Sequence, residues 1–241
     1  MRFNTYFILL TFLTTSFSVF AQDIVVEMPN DSMMHDKKCC DMNMMKPKHL
    51  VSAEYRYFLN PAGGTISELS GQGFILDEEA SEIGVKFGQF PKIFYYQQLG
   101  TLANGNYSSI HGIGLKEKYQ IDLIKNPAVV VAPYIELGAG FYQLSLSKGV
   151  TNNSIVLALN GQVTESRLNN FSITGDLGLN LGYAFQMLGA EITIIANGGY
   201  MTNLPSNWKT GHSLAFKEKL DLSSLYFGGR VSIALIECCG M

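Results

Sequence analysis

The chain predicts an all-β fold: an eight-stranded antiparallel transmembrane β-barrel preceded by a flexible N-terminal tail. Three observations predict it. The stretch 171–187 places Phe171, Ile173, Leu177, Leu179, Leu181, Tyr183, Phe185 and Met187 on one face, and Ser172, Thr174, Asp176, Asn180 and Gln186 on the other. A period of two marks a strand with one apolar face. The stretch is also far longer than the about 5–6 residues usual for a soluble strand, and suits a tilted strand crossing a bilayer, which needs roughly 9–11. Finally, the connections along the chain alternate long and short, the rhythm of barrels with long loops at one end and tight turns at the other.

Composition narrows the classes. The 241 residues suffice for one sizeable domain. Formal net charge is -3 and charged residues make up 15%, so no nucleic-acid partner is expected. No run of 18 or more apolar residues follows the N-terminus, so a helical span is not expected. Residues 1–21 read as a secretory signal peptide, with Arg2 at the positive start, an apolar core over 6–20 and a cleavage site after Val19-Phe20-Ala21. No cysteine sits just after that cut, so no lipoprotein is expected. Export without a helical span, combined with long alternating strands, points to the outer membrane of a Gram-negative cell.

Residues 22–49 form a separate tail, with Met28, Met33, Met34, Met42, Met44 and Met45 beside His35, Cys39 and Cys40. The barrel proper is expected over 50–237. Its strands are read at 51–59, 69–77, 81–96, 109–124, 128–147, 171–187, 190–202 and 222–236. The strand 69–77 is short and contains glycine, and is needed mainly for even parity. Turns are read at 60–64, 77–81, 125–127 and 188–189, and loops at 97–108, 148–167 and 203–221, the last holding the only Trp, Trp208. Pro91 reads as a bulge or as the point where a strand leaves the membrane. Residues 238–241, Cys-Cys-Gly-Met, close the chain.

The face opposite the apolar one carries Glu54, Arg56, Lys86, Lys116, Lys118, Asp122, Glu136, Asp176, Glu191 and Arg230. Both signs recur, as expected of a barrel interior filled by paired charges. A soluble sandwich or ligand cup would instead turn its apolar face inward. Tyr95, Tyr96, Tyr142, Tyr183 and Phe185 read as interfacial girdles. Gly138-Ala139-Gly140 and Gly228-Gly229 fall within strands and are not phosphate loops.

With this signal peptide, alternation and loop rhythm, the chain resembles the small outer-membrane β-barrel proteins, the superfamily that includes the OmpX, OmpW and opacity-type adhesin families. The resemblance covers about residues 51–236. It implies the fold, and it implies outer-membrane lipid and the barrel assembly machinery as partners. Such barrels commonly end in an aromatic residue read by that machinery. This chain departs from the pattern with Ile236-Glu237-Cys238-Cys239-Gly240-Met241.

Chemistry-bearing residues are few. Closing the barrel makes the first and last strands neighbours, which brings Cys39-Cys40 within reach of Cys238-Cys239. Disulfides linking tail to C-terminus are one reading, since the periplasm is oxidising. A soft-metal site is another: Cys39, Cys40, Cys238, Cys239, His35, Met42 and Met44 suit copper or zinc. Unpaired or reversibly oxidised thiols are the third. Ser109 and His111 share a strand face, but Glu117 lies too far along it to complete a triad, and His212 has no evident partner. The expected function is a non-enzymatic barrel with a structural or binding role through its extracellular loops. The alternative is a periplasm-facing metal-binding barrel. The extracellular ligand is not legible.

Overall fold

The strands follow from alternation that persists at almost every predicted position. The computed structural model describes residues 47–126, 128–149, 164–210 and 215–236. In chain order they form β1 (Pro47–Leu59), α1 (Gly63–Gly71), β2 (Ile75–Phe87), β3 (Lys92–Thr101), β4 (Tyr107–Gln120), β5 (Val129–Lys148), β6 (Thr164–Met187), β7 (Ala190–Asn203), β8 (Ser206–Lys209), β9 (Ala215–Leu220) and β10 (Ser224–Ile236). Each barrel strand pairs antiparallel with its neighbours, in the order β1-β2-β3-β4-β5-β6-β7-β10. The β1–β10 ladder, from Pro47↔Ile236 to Leu59↔Leu225, closes this eight-stranded barrel. Among the described residues no helix is long and apolar enough to cross a membrane.

Odd-numbered residues of the barrel strands face outward except on β7, where the two-residue turn pairs Met187 with Ala190 and inverts the phase. Ile113, Leu115, Ile135, Leu137, Phe141, Leu177, Tyr183, Leu225 and Phe227 are all exposed. Glu117 interrupts this face and pairs with Lys86 at 2.7 Å, and Asp77, Glu79 and Glu165 interrupt it toward the loop end. Even-numbered residues point into the lumen, and on β7 the odd-numbered Thr193, Ile195, Asn197, Met201 and Asn203 do. The turns that permit this are short. Leu188 and Gly189 both have positive φ, 53° and 77°. That is the type I′ geometry whose twist matches the flanking strands, and it joins Met187 to Ala190 in register.

Two predicted strands are corrected. The stretch 69–77 is not one strand: α1 occupies its first part, and β2 begins at Ile75. Leu69 and Thr65 are the buried residues of α1, a pair four apart that a period-two reading cannot register. The predicted turn 77–81 lies inside β2. There the acidic run Asp77-Glu78-Glu79 coincides with a register shift between Leu76 and Ala80. The stretch 81–96 is in turn a hairpin, β2 and β3, around Gly88 (φ 53°) and the Phe90 N–H to Phe87 O hydrogen bond of 3.0 Å. Pro91 belongs to that turn rather than to a bulge. Val85 pairs with Ile93, an even number of positions further on, so residues of the same parity share a face and alternation runs across the turn unbroken. Strand count and parity survive both corrections. The loop read at 97–108 shrinks to 102–106, and the loop read at 203–221 carries the β8–β9 hairpin.

The loop end of the lumen is packed with apolar side chains. Phe58, Leu76, Tyr96, Ile110, Tyr142, Leu144 and Met201 meet Leu69 and Phe74 from the α1 connection and Trp208, Leu220 and Leu222 from the connection after β7. Inward-facing amides tie those loops down. Gln98 donates to the Asp77 carbonyl at 2.7 Å. Asn203 donates to the Leu220 carbonyl at 2.9 Å and accepts from the Leu222 N–H at 2.6 Å. Tyr96 and Tyr142 therefore do not belong to an interfacial girdle. They are buried and meet edge-on at 5.8 Å, as their even numbers require. Tyr95, Tyr183 and Phe185 are exposed on the outer face.

Candidate functional site

Below the apolar plug the lumen holds a belt of eight ionised side chains: Glu54, Glu82, Glu136 and Asp176 against Arg56, Lys92, Lys116 and Lys118. None has a side chain more than 8% exposed. The charges balance four against four, which a sealed low-dielectric space demands. Arg56 lies at 3.1 Å from Glu54, 2.5 Å from Glu136 and 2.6 Å from Asp176. Lys92 reaches Glu54 at 2.8 Å and Glu136 at 2.9 Å. Lys116 reaches Glu82 at 2.7 Å and Asp176 at 3.2 Å, and Lys118 reaches Glu54 at 2.9 Å.

The register explains why these pairs need the closed barrel. Lys92 stands directly opposite Lys116 on the neighbouring strand, and Glu136 opposite Asp176. Like charges so placed destabilise an open sheet. Each finds its counter-charge across the lumen, as Arg56 of β1 does with Asp176 of β6. Glycine makes room for the lysine stems. A Cβ at Gly84 would stand 2.6 Å from Lys92 Cδ, and one at Gly138 would stand 2.4 Å from Lys116 Cγ. Aromatic faces cover the cations from the plug side: Arg56 lies 4.8 Å from the Tyr226 ring centroid, Lys116 4.9 Å from Phe94 and Lys118 4.2 Å from Tyr134. The Tyr134 and Tyr226 hydroxyls hydrogen-bond to each other at 2.5 Å.

Below the belt, toward the turn end, the lumen opens into a cavity of about 850 Å³. Lys118, Gln120, Thr193, Ile195, Arg230 and Ser232 are among the residues that line it.

The predicted inner charges Glu54, Arg56, Lys116, Lys118, Glu136 and Asp176 thus converge in the belt. Glu191 and Arg230 line the cavity instead, together with Lys86. Asp122 also lines it and accepts from Gln120 at 3.1 Å. Glu82 and Lys92 were not among the inner charges named from the sequence. Their even numbers were the available signal, since Lys92 keeps the inward phase across the 88–91 turn.

Ser109 and His111 do not combine. The Tyr95 hydroxyl sits 2.7 Å from His111 Nδ1, and no hydrogen bond joins His111 to Ser109 among the described residues. The predicted metal set, Cys39, Cys40, Cys238, Cys239, His35, Met42 and Met44, lies outside the described residues, as do the signal peptide 1–21 and His212. Among the described residues no group of three or more His, Cys, Asp or Glu is arranged to hold a metal ion.

Comparison with known proteins returned no matching family model and no matching curated protein.

Proposed function

We propose that this chain is a non-enzymatic outer-membrane β-barrel protein of a Gram-negative cell, acting structurally or as a binding protein through the loops at its plugged end. The observation that carries the reading is the inverted distribution of polarity. Large apolar side chains such as Leu137, Phe141, Leu177 and Phe227 stand exposed around the outside, while the ionised ones are sealed within. In water that arrangement loses the favourable burial of apolar surface and adds the desolvation of eight charges. In a bilayer the same outer face meets hydrocarbon, and closure pairs every barrel strand with two neighbours. The resemblance to small outer-membrane barrels supports the same reading. Pro47 and Ile236, the first and last described residues, lie at the turn end, which this reading assigns to the periplasm.

The test is expression of the full chain in a Gram-negative host. The protein is expected in alkali-washed outer membranes, released only by detergent, and running faster on a gel unheated than boiled. Recovery as a soluble periplasmic protein sinks the proposal.

One observation favours a second reading, the periplasm-facing soft-metal barrel. The pair Pro47↔Ile236 starts and ends the barrel on adjacent strands. Cys40 precedes Pro47 by seven residues and Cys238 follows Ile236 by two. At most about 3.3–3.6 Å per residue, these tethers are long enough for both cysteine pairs to meet at one rim. Copper or zinc would be held by Cys39, Cys40, Cys238 and Cys239 with His35, Met42 and Met44. That reading predicts stoichiometric metal in the purified protein, lost in the Cys238→Ser/Cys239→Ser double variant. A metal-free protein whose peptide map shows tail-to-C-terminus disulfides refutes it.

A further inference from the structure

The belt balances its charges without Arg230, which lines the cavity below it together with Lys86, Lys125, Glu117, Asp122 and Glu191. Arg230 stands directly opposite Glu54 on the adjoining strand. The Glu54 carboxylate nevertheless turns away into the belt, where it accepts from Arg56, Lys92, Lys118 and Asn197. No carboxylate among the described residues lies within 4 Å of Arg230. Its Nη2 makes one long hydrogen bond, 3.4 Å to the Gln120 side-chain oxygen, and its Nε is buried with no partner. A guanidinium presents five donors in a fixed fork, and here most of them face open space.

That space is the turn-end cavity of about 850 Å³, within the roughly 300–1,000 Å³ typical of small-molecule sites. Its wall beside Arg230 is mixed, with an apolar strip next to Thr193 and Ser232. Val130 on β5, Gly182 on β6, Ile195 on β7 and Arg230 on β10 form one continuous row of paired positions. Val130, Ala184 and Ile195 line the cavity there. Space of this kind fits a group that is anionic at one end and aliphatic along the other.

We infer that the turn-end cavity binds a small carboxylate with an aliphatic body, its carboxylate on Arg230 and its chain against Val130, Ala184 and Ile195. The fork geometry of arginine matches a carboxylate through two parallel hydrogen bonds. The unused Nε then gains a partner. The site lies within the barrel wall, so it does not depend on whether lipid or water surrounds the outside.

The experiment uses the full chain in lipid nanodiscs, with hexanoate as the probe. Arginine Nε–Hε resonances are followed by NMR and affinity by calorimetry. One arginine Nε–Hε signal is expected to shift saturably with hexanoate. That signal should be missing in Arg230→Gln, with hexanoate affinity at least tenfold weaker. Arg167→Gln, whose side chain pairs with exposed Glu165, should bind as the parent does. Ser232→Phe keeps the guanidinium but fills space beside it, and should also weaken hexanoate. This second variant decides the matter if Arg230→Gln does not fold. Hexanoate binding unchanged in either cavity variant, or no saturable shift in the parent, overturns the inference. Inorganic phosphate binding as tightly as hexanoate overturns the aliphatic part, because it would make the site a plain anion site.

Discussion

Arg56→Met is expected to destabilise the barrel by roughly 3–5 kcal/mol, the range for breaking a buried ion pair by removing one partner. Arg56 is fully buried and lies within 4 Å of Glu54, Glu82, Glu136 and Asp176. Removing it leaves four carboxylates against three lysines in a space that water reaches poorly. Methionine replaces much of the stem volume, so the loss measures charge more than cavity. Urea unfolding from lipid vesicles, followed by the unheated gel mobility, reads the change. Arg56→Met/Asp176→Asn should recover part of it, because the belt is then neutral again at three against three. A single-variant cost below about 1 kcal/mol, the upper range of an exposed pair, would show that the belt is wet and its balance immaterial.

Leu177→Arg distinguishes the two surroundings of the outer face. Leu177 is 64% exposed and pairs with Ile135 and Tyr200 on either side, level with the belt residues Glu136 and Asp176. An arginine facing the bilayer midplane costs about 2–4 kcal/mol. The same change on a surface facing water stays within about ±0.5 kcal/mol. Folding free energy in vesicles is expected to fall by the larger amount, and a result within the smaller range removes the case for lipid around this barrel. The inward neighbour Asp176 provides the contrast, since its effect depends on the belt and not on the solvent outside.

The barrel was legible because alternation is a local signal. Tyr95 outward and Tyr96 inward follow from numbering alone, and the strands 190–202 and 222–236 lie within a few residues of β7 and β10. The errors came where the local signal is silent. The turn at 88–91 keeps the phase of the residues around it, so periodicity passes through it as though no turn were there. Helix α1 buries only Thr65 and Leu69, too little amphipathicity to announce itself. It is held by the plug it rests on, since isolated short helices are marginal in water.

The candidate site shows the same division. That Glu54, Arg56, Lys116, Glu136 and Asp176 face inward follows from the amino-acid order. Which of them pair does not. Neighbours along the sheet are Lys92 with Lys116 and Glu136 with Asp176, combinations that a local reading would count as repulsive. By itself the sequence determined the faces and the greasy exterior, because each depends on residues two apart, whereas the count of eight held because the misreadings of 69–77 and 81–96 offset each other. The tertiary structure alone decided the partners. Closure carries β1 across the lumen from β5 and β6, setting Arg56 between Glu136 and Asp176 and leaving Arg230 without an ion pair among the described residues. Such pairings depend on the curvature of the closed sheet, and no spacing along the chain encodes that distance.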